Sequence, residues 1–225
     1  MKRSIAIDGP NGAGKSTIAK AVANELSFAY VDTGALYRAS GLICLENNVD
    51  LDKPCEIEFC LAEVVLSVKY DVSGQRTFVN GRDVTGQIRT LGAAQAASKV
   101  ARVPSLRAKI VELARNVANS EDVVMDGRDV GTVILPNADL KIFLDASLEA
   151  RTQRRCAELL SINQVAVYEN VMEEIKERDH RDRTRESSPL KVADGAVIID
   201  SSNMSAEEVT ARIIKELAVA AEMYS

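Results

Sequence analysis

Five short stretches, at 4–8, 28–32, 122–126, 140–145 and 196–200, are continuously apolar between their ends, where a strand with one wet face would alternate. Strands buried on both faces of a parallel sheet read this way. Each stretch ends in aspartate: Asp8, Asp32, Asp126, Asp145 and Asp200. Between and after them, apolar residues recur at helical spacing, as in Ile18, Val22 and Leu26, or in Leu106, Ile110, Leu113 and Val117 behind a helix-opening Pro104. The last helix opens on a capping box, Ser205 with Glu208, and its apolar stripe runs through Val209, Ile213 and Leu217. Strands alternating with helices predict an α/β fold on a parallel sheet. Ligands of such sheets sit beyond the carboxyl ends of the strands, where all five aspartates fall, although aspartate also suits the turns and helix caps found there.

Two segments break this rhythm. Over 66–85 the period becomes two, with Leu66, Val68, Tyr70 and Val72 alternating, then a Ser73-Gly74 turn, then 77–79 and the hairpin signal Asn80-Gly81. This predicts a small antiparallel insert. The stretch 151–187 is helical and rich in charge, with only a modest stripe of Tyr168, Val171, Met172 and Ile175, as suits a peripheral lid.

A chain of 225 residues, 46% of them hydrophobic, is enough for one domain or one domain with an insertion. The four cysteines, Cys44, Cys55, Cys60 and Cys156, form no CxxC pair, which argues against a zinc site or a secreted disulfide framework and points to a reducing, cytoplasmic setting. Lys2 and Arg3 imitate the start of an export leader, but Asp8 interrupts the apolar run, so neither export nor a membrane span is expected. A net charge of -5 excludes global attraction to nucleic acid. Anionic ligands must be met locally, and Arg178, Arg181, Arg183 and Arg185, interleaved with Asp179, His180 and Asp182, form one such cluster.

The string Gly9-Pro10-Asn11-Gly12-Ala13-Gly14-Lys15-Ser16-Thr17 matches G-x-x-x-x-G-K-[ST] between the first strand and the first helix. There the glycines let backbone N–H groups face phosphates at the positive end of a helix, Lys15 bridges the β- and γ-phosphates, and the Ser16 hydroxyl can hold Mg2+. A phosphate loop alone leaves kinase, GTPase switch and ATP-driven machine open. No N-K-x-D guanine-reading motif is present, and the D-x-x-G look-alikes at 71–74 and 83–86 fall in the insert. Arg38 follows the second strand by less than two helical turns and Arg128 follows the third, so both can point into one crevice facing the phosphate loop, as clamps for a second phosphate. Asp126 has the position of a carboxylate that acts on Mg2+ through water, with a buried turn aspartate as the plain alternative. Helical spacing puts Arg178, Arg181, Asp182 and Arg185 on one face, which by itself also describes a salt-bridged surface helix.

The combination of that phosphate loop with Asp32-Thr33-Gly34-Ala35-Leu36-Tyr37-Arg38, Asp126-Gly127-Arg128-Asp129, Gly131-Thr132 and the string from Lys176 to Arg183 resembles the bacterial cytidylate kinases, over nearly the whole chain. The resemblance implies a five-stranded parallel sheet in the order 2-3-1-4-5, flanked by helices, with an antiparallel β insert in the NMP-binding region and a helical lid. It implies a single P-loop kinase domain over 1–225: a core of 1–32, 100–150 and 188–225, an NMP-binding region with the insert at 33–99, and a lid at 151–187. The activity implied is ATP-dependent, Mg2+-assisted phosphorylation of CMP and dCMP, by a cytoplasmic protein that nothing requires to be more than a monomer.

By the same resemblance, Thr33 and Tyr37 join Arg38 in holding the acceptor nucleotide, Ser98 and Asp129 read the cytosine edge with Arg107 beside them, and Arg178 and Asp182 bind around the ribose. Arg185 reaches a phosphate, and Arg151 and Arg155 at the other root of the lid lie near ATP. The transfer itself falls to Lys15, Arg38, Arg128 and Arg185. The rival readings are another nucleoside monophosphate kinase, for UMP or AMP, against which the insert and the Ser98/Arg107 pair argue, and a non-catalytic ATP-binding module, which would have no use for a second phosphate clamp.

Overall fold

The computed structural model describes residues 2–71, 74–161 and 164–223. In chain order the elements are β1 (Ser4–Asp8), α1 (Lys15–Leu26), β2 (Ala29–Asp32), α2 (Thr33–Glu46), α3 (Pro54–Leu61), β3 (Leu66–Asp71), β4 (Gly74–Val79) and β5 (Arg82–Asp83). After a 3-10 turn at Gln87–Arg89 come α4 (Leu91–Val100), α5 (Pro104–Ser120), β6 (Val123–Gly127), a π-helical turn at Val130–Ile134, β7 (Leu140–Asp145), α6 (Leu148–Ser161), α7 (Tyr168–Thr184), β8 (Val197–Asp200) and α8 (Ala206–Met223). The five apolar stretches all become strands of one sheet, in the order β2-β6-β1-β7-β8. Numbered among themselves these strands run 2-3-1-4-5, as expected. Ile5 lies opposite Leu140 and Ile142 opposite Val197 in parallel register.

The chain divides into two compact units. The first comprises Arg3–Phe28 and Val124–Ser225. Its core takes Ile5 and Ile7 from β1, Ile142 and Leu144 from β7 and Ile199 from β8, all buried because both faces of the strands are covered. Ile18 and Val22 of α1 and Val209 and Ile213 of α8 are buried on the two packed helices, so both predicted stripes face inward. Gly9, just after β1, fits where no other residue would: a Cβ there would stand 2.0 Å from the Leu144 carbonyl oxygen. Helices α6 and α7 share a small cluster of Leu159, Val171 and Ile175. Of the stripe predicted for α7, Val171 and Ile175 are buried and Tyr168 and Met172 are half-buried.

The second unit comprises Ala29–Val123. Its main contact is α2 on α4, where Gly41 lets the helices meet closely: a Cβ on Gly41 would come within 2.7 Å of the Ala96 Cβ. A second layer joins Ile57 and Leu61 of α3 to Leu106 and Ile110 of α5. Helix α3, unforeseen from the sequence, starts on Pro54 and buries only those two residues. The insert is a three-stranded antiparallel sheet, β3-β4-β5, one strand more than a single hairpin. Leu66 pairs with Val79 and Tyr70 with Gln75. Asn80 and Gly81, both at positive φ, turn β4 into β5, and the Asn80 side-chain oxygen accepts the Val65 N–H at 2.9 Å. Of the expected Ser73-Gly74 turn and Val72, only Gly74 is described, opening β4 opposite Asp71; Val72 and Ser73 lie outside the described residues. Among the described residues no helix is long and apolar enough to cross a membrane.

Candidate active site

The phosphate loop of the first unit leads straight into α1, whose cap is Gly14 at φ 88. Glycine has no side chain to satisfy the first helical N–H groups, which leaves them directed at an anion. Lys15 is 6% exposed and its Nζ donates to the Pro10 carbonyl at 2.7 Å. Burial, and then the Arg128 guanidinium, push the Lys15 pKa well below its ordinary value; Arg178 adds to this, while Asp126 and Asp182 oppose it. Ser16 Oγ donates to Asp126 Oδ2 at 2.9 Å. A hydroxyl and one buried carboxylate at the mouth of a phosphate loop suit Mg2+, which takes few protein oxygens and completes its shell with phosphates and water.

Following β6, Arg128 Nε donates to Asp182 Oδ2 of α7 at 2.8 Å. Asp182 is 5% exposed; burial opposes its charge, yet Arg128, Arg178 and Arg185 together hold its pKa below the ordinary carboxylate value. Arg185 caps the end of α7, donating through Nε to the Ser188 carbonyl at 2.7 Å and turning Nη2 toward Asp129 Oδ1 at 3.4 Å. Arg128 and Asp129, and Arg178, Asp182 and Arg185, from two separate stretches of sequence, thus meet in one network beside Lys15. His180 is exposed on α7.

At the lid root the arginines differ from one another. Arg151 is 7% exposed and braces the phosphate loop: Nη1 donates to the Asn11 carbonyl at 3.0 Å and to Asp179 Oδ2 at 2.5 Å, and Nε donates to the Ala146 carbonyl at 2.9 Å. Asp179 Oδ1 in turn accepts the Asn11 N–H at 3.2 Å. Arg155 pairs with Glu158 along α6, at 2.6 Å. Arg154, passed over in the sequence, reaches the Ala13 carbonyl at 3.5 Å and the Ser201 carbonyl at 2.5 Å. Asp179 and Arg154 both belonged to charge-rich strings, and nothing in helical spacing singles them out from their neighbours.

In the second unit, Asp32 caps α2 by accepting the Ala35 N–H at 2.9 Å through Oδ1, and Oδ2 accepts from Arg38 Nη2 at 2.6 Å. Gln75 of β4 accepts the Asp32 N–H at 2.8 Å, tying the insert to the start of α2. Arg107, 3% exposed, lies over the Tyr37 ring with its guanidinium carbon 5.4 Å from the centroid and donates to the Ala101 carbonyl at 3.2 Å. Thr33 and Ser98 are buried, and Ser98 Oγ has no hydrogen-bond partner among the described residues. A buried hydroxyl without a partner costs free energy, as though kept for a ligand. Tyr37, Arg38, Ser98 and Arg107 come from α2, α4 and α5, which the close α2–α4 contact brings together.

Residues 5–219 match the family model described as "Cytidylate kinase". A protein named cytidylate kinase from Caldanaerobacter subterraneus subsp. tengcongensis is 45% identical over 95% of this chain and 93% of its own length. Another from Carboxydothermus hydrogenoformans is 44% identical over 94% of this chain and 95% of its own. Among solved structures, an uncharacterized protein from Eubacterium ventriosum has a TM-score of 0.56 at 15% identity, covering 96% of this chain and 99% of its own. A gluconokinase from Sinorhizobium meliloti has a TM-score of 0.50 at 15% identity, covering 99% and 95%. At that identity the structural likeness concerns the fold.

Proposed function

We propose an activity on the premise that this chain belongs to the cytidylate kinase family: it transfers the γ-phosphoryl group of ATP to CMP, and to dCMP, releasing ADP and CDP or dCDP. The crowding of cations at Lys15 carries the reading. Burial, Arg128 and Arg178 oppose the charge of the buried ammonium, and Asp126 and Asp182 offset them only in part, so a polyphosphate at the loop would complete the balance.

Lys15 then exchanges the Pro10 carbonyl for phosphate oxygens, while the N–H groups of the loop 9–17 cradle the same phosphates. Ser16, and Asp126 through water, would hold Mg2+, which neutralises charge on the ATP phosphates. Arg128 and Arg185, now paired with Asp182 and Asp129, supply positive charge to the group in flight, with Arg38 on the acceptor phosphate. The attacking oxygen belongs to a monophosphate, whose second pKa is about 6, so it is anionic near neutrality and needs no protein base. Charge neutralisation and alignment are therefore the main tasks.

Cytosine presents an amino donor where uracil presents a carbonyl, so Ser98 and Asp129 are suited to read that edge, with Arg107 on the ring acceptors and Thr33 and Tyr37 lining the nucleotide. Arg178 and Asp182 take the ribose side, and Arg151 and Arg155 the ATP side, Arg151 through its hold on Asn11. Keeping water from the γ-phosphate is the role we propose for the lid 151–187 and for the region 33–99, each taken by itself. We further propose that the protein works in the cytoplasm as a monomer. Replacing Lys15 with Ala tests the core of this reading: turnover should fall about a hundredfold or more while CMP binding, followed by calorimetry, persists. Unimpaired turnover would remove the phosphate loop from the reaction.

A further inference from the structure

We infer that Asp8 is a positioning residue for the acceptor side of the reaction: from the end of β1 it holds the segment carrying Arg128 and Asp129. The inference rests on the reading of those two residues as acceptor ligands. Asp8 is 3% exposed, and it makes a fork of two hydrogen bonds: Oδ1 accepts the Val130 N–H at 2.8 Å and Oδ2 accepts the Gly131 N–H at 2.7 Å. These are the first two amides of the π-helical turn Val130–Ile134, and the opening amides of any helical turn lack partners within it.

Three later amides are satisfied from inside. Val133 and Ile134 donate to the Asp129 carbonyl at 2.9 and 3.3 Å, and Leu135 donates to the Val130 carbonyl at 2.7 Å. The residue at the capping position is Asp129, a side chain well suited to cap its own turn. Its carboxylate makes no such bond. It turns instead to Arg185. Asp8 takes over the capping from 122 residues away in sequence, and the Asp129 carboxylate stays with Arg185.

The far side of the turn is equally confined. A Cβ on Gly131 would come within 3.2 Å of Lys141 Cδ and 3.3 Å of Ala193 Cβ, so the turn is wedged between the Asp8 fork and packed side chains. Gly9, the first residue of the phosphate loop, follows Asp8 directly and packs on the Leu144 carbonyl. One residue therefore joins the strand that launches the phosphate loop to the turn that aims Arg128 and Asp129, and a fault in that joint displaces the acceptor ligands while the loop 9–17 keeps its own contacts.

Asp8→Asn keeps the shape but sets an NH2 group against one of the two amides. Initial rates should show KM for CMP raised about tenfold or more with KM for ATP within about twofold of the wild-type protein, and a smaller CMP over UMP ratio in kcat/KM, because Asp129 is misaimed. A purely structural role would lower the amount of folded enzyme and leave both KM values and the ratio alone. Should Asp8→Asn fail to fold, Asp8→Glu keeps the charge on a longer arm and should give the same split. Unchanged KM values, or equal rises for ATP and CMP, overturn the inference. CMP-dependent turnover by the wild-type protein is the separate control for the activity itself; its absence would remove the activity and this inference together, whereas normal wild-type turnover with no split in the variants would remove the inference alone.

Discussion

At the scale of single residues, the site is governed by what burial does to charge. Asp8 is pushed up to about 6 from an ordinary 3.8, chiefly by burial, with its two amide bonds and Lys15 opposing the rise and Asp129 adding to it. Because the folded value lies above the unfolded one, its contribution to stability is fully present below about pH 4 and is lost as pH rises through about 6; the span corresponds to roughly 3 kcal/mol. Asp8→Asn does not titrate, so its stability relative to the wild-type protein should rise between pH 4 and 7, measured by urea unfolding at each pH. Parallel curves would contradict that assignment. Asp129→Ala should narrow the preference for CMP over UMP by about tenfold, read from kcat/KM for the two acceptors, and an unchanged ratio would take Asp129 out of base reading. In the sequence Asp8 stood out only as an aspartate at a strand end, whereas the resemblance already gave Asp129 its base-reading role. That Asp8 caps a turn more than a hundred residues away depends on the parallel pairing order, which no local pattern encodes.

At the scale of elements, the core strands were legible because burial on both faces leaves an unbroken apolar run, and the phosphate loop because its spacing falls between a strand and a helix. Helix α3 was not, since eight residues with two buried positions give too little periodicity to separate from a loop. Strand β5 was hidden for a similar reason: two residues, Arg82 and Asp83, are held by pairing to β4 and by the Arg76–Asp83 ion pair, with no apolar signal of their own. The lid arginines were visible as a cluster, but their division of labour was not, because Arg151 differs from Arg155 only in the direction its side chain leaves α6. The α2–α4 contact gives a prediction at this level. Gly41→Ala gains about 1 kcal/mol of helix propensity but forces Cβ against Ala96 Cβ and the Ala97 backbone nitrogen, which stands 3.0 Å away. Overpacking of this sort costs about 1–3 kcal/mol. The variant should therefore be less stable in denaturant unfolding and should bind CMP more weakly, since α2 carries Arg38 and α4 carries Ser98. A stabilised Gly41→Ala protein would show that the helices can separate without loss.

At the scale of the whole molecule, the proposed transfer draws on both compact units. Lys15, Asp126, Arg128 and Arg185 belong to one, and Arg38, Ser98 and Arg107 to the other. The family match likewise spans both units, over residues 5–219. The direct test is ADP release from ATP with Mg2+ across CMP, dCMP, UMP, AMP, GMP and no acceptor, with the phosphorylated product identified. The account predicts rapid turnover with CMP and dCMP, much weaker turnover with UMP, and little without an acceptor. ADP release that ignores the acceptor, or that prefers AMP or UMP, would contradict it.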